Sequence, residues 1–215
     1  AGTTYLMTGS LEELKLYNGV TSASKNKSTI TNVPIGTRYE ETDTRKIFRR
    51  ASSTFSQLSS DSSEDLDPAG AYREQIGQRL LAGQTLVDKV VTKVSFWIAK
   101  ASGNTTGTVE ANIREGGGTF IATNTTATDL DASELTASFV EHSFEFPPTS
   151  IDANDMIMLS FTNGTGTNKL KVQTNGGEIT NGELWDEYDN TYAKKDTNSM
   201  KMIVTYHDWV AKGTA

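Results

Sequence analysis

Alternation of apolar and polar residues is the feature that most limits what this chain can become. From Val90 to Ile98 the even positions carry Val90, Thr92, Val94, Phe96 and Ile98, and the odd positions carry Val91, Lys93, Ser95 and Trp97. A β-strand turns successive side chains to opposite faces, so this period of two predicts a strand with one buried face. The pattern recurs at Val109, Ala111 and Ile113, at Val140, His142, Phe144 and Phe146, at Leu170 and Val172, and at Met200, Met202, Val204 and Tyr206. Met156 to Phe161 is apolar at almost every position, which predicts a central strand covered on both sides.

The spacers between these segments are turn formers: Ser102-Gly103-Asn104, Gly116-Gly117-Gly118, Asn163-Gly164-Thr165-Gly166 and Asn175-Gly176-Gly177. A parallel sheet needs a crossover, usually a helix, between its strands, and no segment here has a period of 3.6. The expected fold is therefore all-β, an antiparallel jelly-roll β-sandwich over residues 70–210. Residues 1–50 read as an extended N-terminal arm with strand character. Residues 51–69, beginning Ala-Ser-Ser-Thr-Phe-Ser, read as a Ser/Asp-rich linker with little apolar surface to offset its ordering entropy. Within the arm, Leu11, Leu14 and Leu16 after Ser10 fit a short capped helix, or a strand ending in an Asn18-Gly19 turn.

Composition narrows the chemistry. The chain has 215 residues, with 20 Lys and Arg against 27 Asp and Glu, a net charge of −7, 35% hydrophobic residues, two His and no Cys. Without Cys there is no disulfide, no thiolate zinc site and no cysteine nucleophile. The acidic balance argues against non-specific nucleic-acid binding, which depends on Lys and Arg neutralising phosphates. No apolar run is long enough to span a membrane as a helix. The chain opens at Ala1 without a charged and apolar leader, so a signal peptide is expected either to be already removed or never to have been there.

Catalytic constellations are sparse. There is no Gly-x-Ser-x-Gly elbow. His142 shares a parity with Phe144 and Phe146 and reads as a packing residue, and His207 reads as a surface residue near the C-terminus. Glu183, Asp186, Glu187 and Asp189 cluster in sequence around Trp185, Tyr188 and Tyr192, the residue types a glycosidase needs, but also those of an exposed acidic loop. The expectation is that the chain is not an enzyme. Three oxygen-rich turns are candidate calcium ligands: Asp129-x-Asp131, the stretch from Asp186 to Asn190, and Asp152 with Asn154 and Asp155. The last is taken as the candidate structural calcium site, with no other cofactor expected. Asp and Asn also favour turns through their own backbone hydrogen bonds. The sequons at Asn26, Asn104, Asn124 and Asn163 carry little weight in so Thr- and Asn-rich a chain.

Two segments resemble known proteins. Ile35-Gly36-Thr37-Arg38-Tyr39-Glu40-Glu41-Thr42-Asp43-Thr44-Arg45-Lys46-Ile47-Phe48 resembles a stretch in structural proteins of tailed viruses, phages and archaeal viruses, that precedes a modular β-domain. Gly83 to Phe146 is similar in its order of strands and turns to jelly-roll, carbohydrate-binding-module-like domains of phage and secreted surface proteins.

The resemblance implies a virion structural protein displayed on the particle surface, as a capsid decoration, turret or tail-fibre component. It would act by homo-oligomeric assembly with other virion proteins and by contact with a host-surface glycan. The alternative is a carbohydrate-binding module of a secreted or cell-surface protein. On this reading Trp97, Trp185, Tyr188 and Tyr192 are the candidate glycan or interface contacts. Arg38, Tyr39, Glu40, Asp43, Arg45 and Phe48 are the candidate assembly arm, their alternating charges setting register on a neighbour.

Overall fold

The computed structural model describes residues 34–40, 46–67, 73–101, 105–116, 120–123, 129–162, 168–177, 179–188, 191–196 and 198–214. They form β1 (Arg38–Glu40), β2 (Lys46–Gln57), β3 (Ser62–Leu66), β4 (Arg73–Leu80), β5 (Val90–Lys100), β6 (Thr108–Arg114), β7 (Phe120–Thr123), β8 (Leu130–Asp131), β9 (Val140–Ser150), β10 (Met156–Thr162), β11 (Leu170–Asn175), β12 (Gly182–Tyr188), β13 (Thr191–Asp196), β14 (Ser199–Met200) and β15 (Met202–Thr214). Beyond the strands the described residues include a 3-10 turn, Ala132–Glu134. No described helix is long and apolar enough to cross a membrane.

Two antiparallel sheets pack as a sandwich. In the first, β5 is the hub. One of its edges pairs with β9 from Val90 to Ile98. The other is shared end to end, residues 90–96 facing β15 and residues 98–100 facing β11. Outside these lie β2 along β15, β3 along β11, and β1 along β2. The second sheet runs β13-β12-β4-β10-β6, with β7 and β8 on the outer edge of β6.

The core lies between the sheets, and the period-two pattern places it. Phe96, Ile98, Phe144, Val172, Met202 and Val204 meet Ile76, Leu80, Val109, Ile113, Ile157, Leu159, Phe161 and Leu184. Each such side chain, fully buried, contributes roughly 1.5–3 kcal/mol of transfer free energy. The rings of Phe96 and Phe144 meet tilted, with centroids 6.4 Å apart. β10 sits between β4 and β6, the central position its apolar sequence predicts. A register shift between Val91 and Lys93 breaks the parity of β5, so Val91, and not Val90 or Thr92, joins the core. Such a bulge turns every side chain beyond it to the other face.

The expected arm and linker need correction. Residues 46–57 and 62–66, assigned to the end of the arm and to the Ser/Asp-rich linker, are strands of the first sheet. β2 pairs with β15 from Lys46 to Gln57, and Leu66 of β3 is fully buried in the core. The physical reason is that a backbone ladder does not require hydrophobic side chains. Ala51, Ser53, Phe55 and Gln57 are half-buried and alternate with exposed Ser52, Thr54 and Ser56, and Thr and Phe suit a pleated, half-buried surface. The possible helix over residues 10–18 lies outside the described residues.

β15 outruns β5. Its residues 208–214 pair only with β2, so β1, the start of β2 and the end of β15 make a ribbon beyond the last β5 contact at His207 and Val90. On this ribbon Arg50 lies directly opposite Trp209, its guanidinium 5.7 Å from the ring centroid. Both are buried, as is Phe48.

Candidate binding face of the second sheet

The inward residues of the second sheet identify the outward ones. Ile76, Gln78 and Leu80 point inward. Gln78 is fully buried, and its Oε1 accepts a hydrogen bond from the Met200 backbone N–H of the opposite sheet at 2.9 Å. Gln75, Gly77 and Arg79 therefore face out. The register extends this into three rungs across the sheet. The first runs Glu183, Arg79, Met156, Arg114. The second runs Lys194, Trp185, Gly77, Met158, Asn112. The third runs Tyr192, Glu187, Gln75, Ser160, Glu110.

This outer face is buried as if it were a core. Met156 and Met158 are 0% exposed, Asn112 2%, Glu187 3% and Ser160 4%. The Arg79 guanidinium stacks 4.6 Å from the Trp185 ring centroid, and the Arg114 guanidinium stacks 5.4 Å from that of Tyr192. Gly77 is the low point of the floor: a Cβ there would lie 2.5 Å from Met158 Sδ and 2.6 Å from Met158 Cα.

The polar groups are partly tied down. Glu183 accepts from Trp185 Nε1 at 3.0 Å and from Lys194 Nζ at 3.1 Å, with Arg79 at 3.6 Å. The Trp185 hydrogen bond, with help from Lys194 and Arg79, lowers the Glu183 pKa, so it is held as a carboxylate. Burial raises the Tyr192 pKa, which keeps its hydroxyl protonated. Burial, with Asp129 nearby, raises that of Glu110. By contrast Gln75 Oε1, Asn112 Oδ1 and Arg79 Nε are buried and have no hydrogen-bond partner among the described residues. An unsatisfied buried polar atom costs about 1–3 kcal/mol, so three on one face call for an explanation.

The sequence-derived candidates scatter around this face. Trp185 and Tyr192 lie on it. Trp97 lies on the outer face of the other sheet, with Lys201 Nζ 4.4 Å from its ring centroid, on the opposite side of the sandwich. Tyr188 ends β12, and its side chain lies outside the described residues.

The acidic cluster is split. Glu183 and Glu187 face outward, four residues apart, about 13 Å along a strand. Asp186 turns the other way and binds Arg73 Nε at 2.8 Å. Arg73 also binds Glu64 at 2.9 Å, and Glu64 pairs with Lys195, so these four charges tie β3, β4, β12 and β13 together. Asp189 lies outside the described residues.

In the candidate calcium loop, Asn154 Oδ1 accepts from Arg79 at 3.0 Å, and Asp155 Oδ2 accepts from the Asp152 backbone N–H at 2.7 Å. Those oxygens serve protein donors. Asp131 likewise caps the 3-10 turn, its Oδ1 accepting from Ser133 N–H at 2.8 Å. Among the described residues no three His, Asp or Glu are grouped to hold a metal ion.

Of the candidate arm, Arg38, Tyr39 and Glu40 form β1, opposite Arg49, Phe48 and Ile47 of β2. Asp43 and Arg45 lie outside the described residues. His142 lies opposite Phe96 on β9, half-buried, with its pKa lowered by burial.

Sequence reading missed Gln75, Arg79, Asn112, Arg114, Met156 and Met158 as members of one face. Parity along β6 and β10 carried part of the signal. β4 was obscured because Gln78 occupies an inward position, where an apolar residue would have revealed the alternation.

No family model matches the chain, and no curated protein matches it. Among solved structures, the chain is similar to an arabinose-bound α-L-arabinofuranosidase, at TM-score 0.36 and 13% identity, over 66% of this chain and 23% of that one. It is also similar to a CocE/NonD family hydrolase from Staphylococcus aureus, at TM-score 0.16 and 10% identity, over 81% of this chain and 35% of that one. The chain thus spans well under half the length of either structure, and at these TM-scores neither likeness bears on function.

Proposed function

We propose that this protein is a surface-displayed β-sandwich that binds a glycan on the outer face of its second sheet. The observation that carries the reading is the set of buried outward atoms Gln75 Oε1, Asn112 Oδ1 and Arg79 Nε without partners among the described residues, beside the Trp185 ring. Sugar hydroxyls both donate and accept, so one ring can satisfy an amide oxygen and a guanidinium N–H together. The C–H face of that ring packs on an indole, whose body is apolar and whose edge is polar. The face is built from strands, which hold its side chains in fixed geometry.

A glycan array probed with the full chain tests this. Trp185→Ala and Asn112→Ala, each checked for an unchanged far-UV spectrum, should abolish a specific signal. A wild-type array with no signal would overturn the proposal, and so would a signal untouched by both substitutions.

A second reading places the sandwich on a virus particle as an assembling structural protein. It is supported by the resemblance at Ile35 to Phe48 and by the β1–β2–β15 ribbon that carries this segment beyond the sandwich. Its partners would be further copies of the chain and other virion proteins, with the glycan face directed at the host. Removing residues 1–40 should then abolish incorporation into particles while the sandwich still folds. Normal incorporation of the shortened chain would overturn it.

A further inference from the structure

We infer that the chain pairs with a second copy of itself along the open edge of β2, residues 51–57, antiparallel and about a two-fold axis at Thr54. The inference is independent of the glycan reading, whose face lies on the other sheet. β1 covers the outer edge of β2 only as far as Arg50, whose N–H donates to the Thr37 carbonyl and whose carbonyl accepts from the Gly36 N–H, both at 2.8 Å. Backbone groups alternate sides along a strand, so Ser52, Thr54 and Ser56 present their N–H and C=O groups on the side that Arg50 turns to β1. The register against β15 runs unbroken from Arg50 to Gln57, which carries that parity the whole way. Among the described residues no strand pairs with this stretch on that side, and the three side chains are exposed.

This edge differs from its counterparts. Natural sheets blunt their free edges with charge, proline or brevity. β9 carries Glu141, Glu145, Pro147 and Pro148, β13 carries Lys194 and Lys195, and the free end of β15 carries Asp208 and Lys212. β3 carries Glu64 and Asp65, and β1, β7, β8 and β14 are short. Ala51 to Gln57 has neither charge nor proline. A second copy suits it, because an uncharged segment can face itself without opposing like charges. The axis at Thr54 sets Thr54 opposite Thr54 and Ser52 opposite Ser56, and three N–H groups on each of two copies make six main-chain hydrogen bonds.

The ends fit as well. Leu58 is 53% exposed at one end of the edge, and Ile35 is 51% exposed in the Pro34–Thr37 turn at the other. Antiparallel pairing sets Leu58 opposite the second copy's Arg50, and so beside the turn that holds the second copy's Ile35. Two large apolar side chains that the single chain leaves in water are then covered. Each copy has one such edge among the described residues, so the association closes at two. One shared edge buries little surface, which makes the dimer concentration-dependent.

The experiment is sedimentation velocity of the full chain over a dilution series, with amide hydrogen exchange at its two ends. The chain should pass from dimer to monomer on dilution, and the Ser52, Thr54 and Ser56 amides should exchange more slowly in the dimer. Thr54→Pro removes an outward N–H that β15 does not use. It should weaken the dimer at least about tenfold, since two of the hydrogen bonds are lost. Thr54→Lys should weaken it too, by setting two ammonium groups face to face. Mixing Thr54→Lys with Thr54→Glu chains should restore a dimer of the two, because opposite charges then meet across the axis, a rescue that misfolded chains would not give. A chain that stays monomeric at every soluble concentration, with these amides exchanging freely, would overturn the inference. Slow exchange at these amides that ignores concentration would overturn it in favour of another segment of the same chain covering the edge. A dimer indifferent to all three substitutions, or a Lys and Glu mixture that does not pair, would overturn the Thr54-centred edge as its interface.

Discussion

The guanidinium of Arg114 lies 5.4 Å from the centroid of the Tyr192 ring, although three strands of the same sheet separate β6 from β13. Four strand intervals amount to about 19 Å, and side chains on a flat sheet stand roughly upright. The contact therefore requires both side chains to lean inward over a sheet whose outer face is concave. On that face Met156, Met158 and Asn112 point away from the core and are nevertheless buried.

The floor of the dish should behave as a second core. Met158→Ala should cost about 2–5 kcal/mol, the range for buried large-to-small changes, although Met158 faces away from the sandwich interior. Urea denaturation gives the number. A cost under about 0.5 kcal/mol, typical of surface positions, would show the face to be open.

Gly77 should tolerate no side chain. A Cβ would press on the Ile157 carbonyl oxygen and on Met158, and the backbone atoms among these cannot swing aside. Gly77→Ala should lower stability by about 1–3 kcal/mol or more through overpacking. A variant as stable as the parent would mean that β4 and β10 can separate freely.

The sandwich should not survive removal of its Ser-rich strands. A chain starting at residue 70 lacks β2 and β3, and with them Leu66 and the whole outer ladder of β15. It should lose cooperative unfolding in calorimetry. A chain starting at residue 34 should keep it. Cooperative melting of the shorter chain would restore residues 51–69 to the status of a linker.

Acidification should weaken the fold through its histidines. Burial holds the pKa values of His142 and His207 below the ordinary 6.5. An unfolded chain takes up protons near 6.5 that the folded chain refuses until lower pH, so stability is full above about 6.5 and falls as pH drops below it. Glu110 and Asp155, whose pKa values burial raises, act in the opposite direction, relieving a penalty as the solution is acidified. A His142→Asn, His207→Asn double variant isolates the histidine part. The gap in Tm between parent and variant should shift against the parent from pH 7.5 to 5.5, and a constant gap would remove the histidines from the account.

Much of the sandwich was legible because strand parity is local. Val109, Ala111 and Ile113 declare their face within one segment, and so do Met202, Val204 and Tyr206. Trp185 and Tyr192 could be singled out as aromatics in a polar stretch. β2 was not legible, since its burial is conferred by β15 far away in sequence and hardly by its own serines. Trp97 looked equivalent to Trp185 because sequence shows that a residue faces outward but not on which of two sheets.

The sequence alone determined the fold class and the inward face of most strands, because a period of two acts between neighbouring residues. Tertiary structure alone decided that one outward face would be dished and buried. It also decided that Arg79 and Arg114 would flank a methionine on it, and that residues 46–66 would close the other sheet. Those outcomes depend on pairing between strands remote in the chain and on the curvature that pairing imposes, neither of which is written in any single segment.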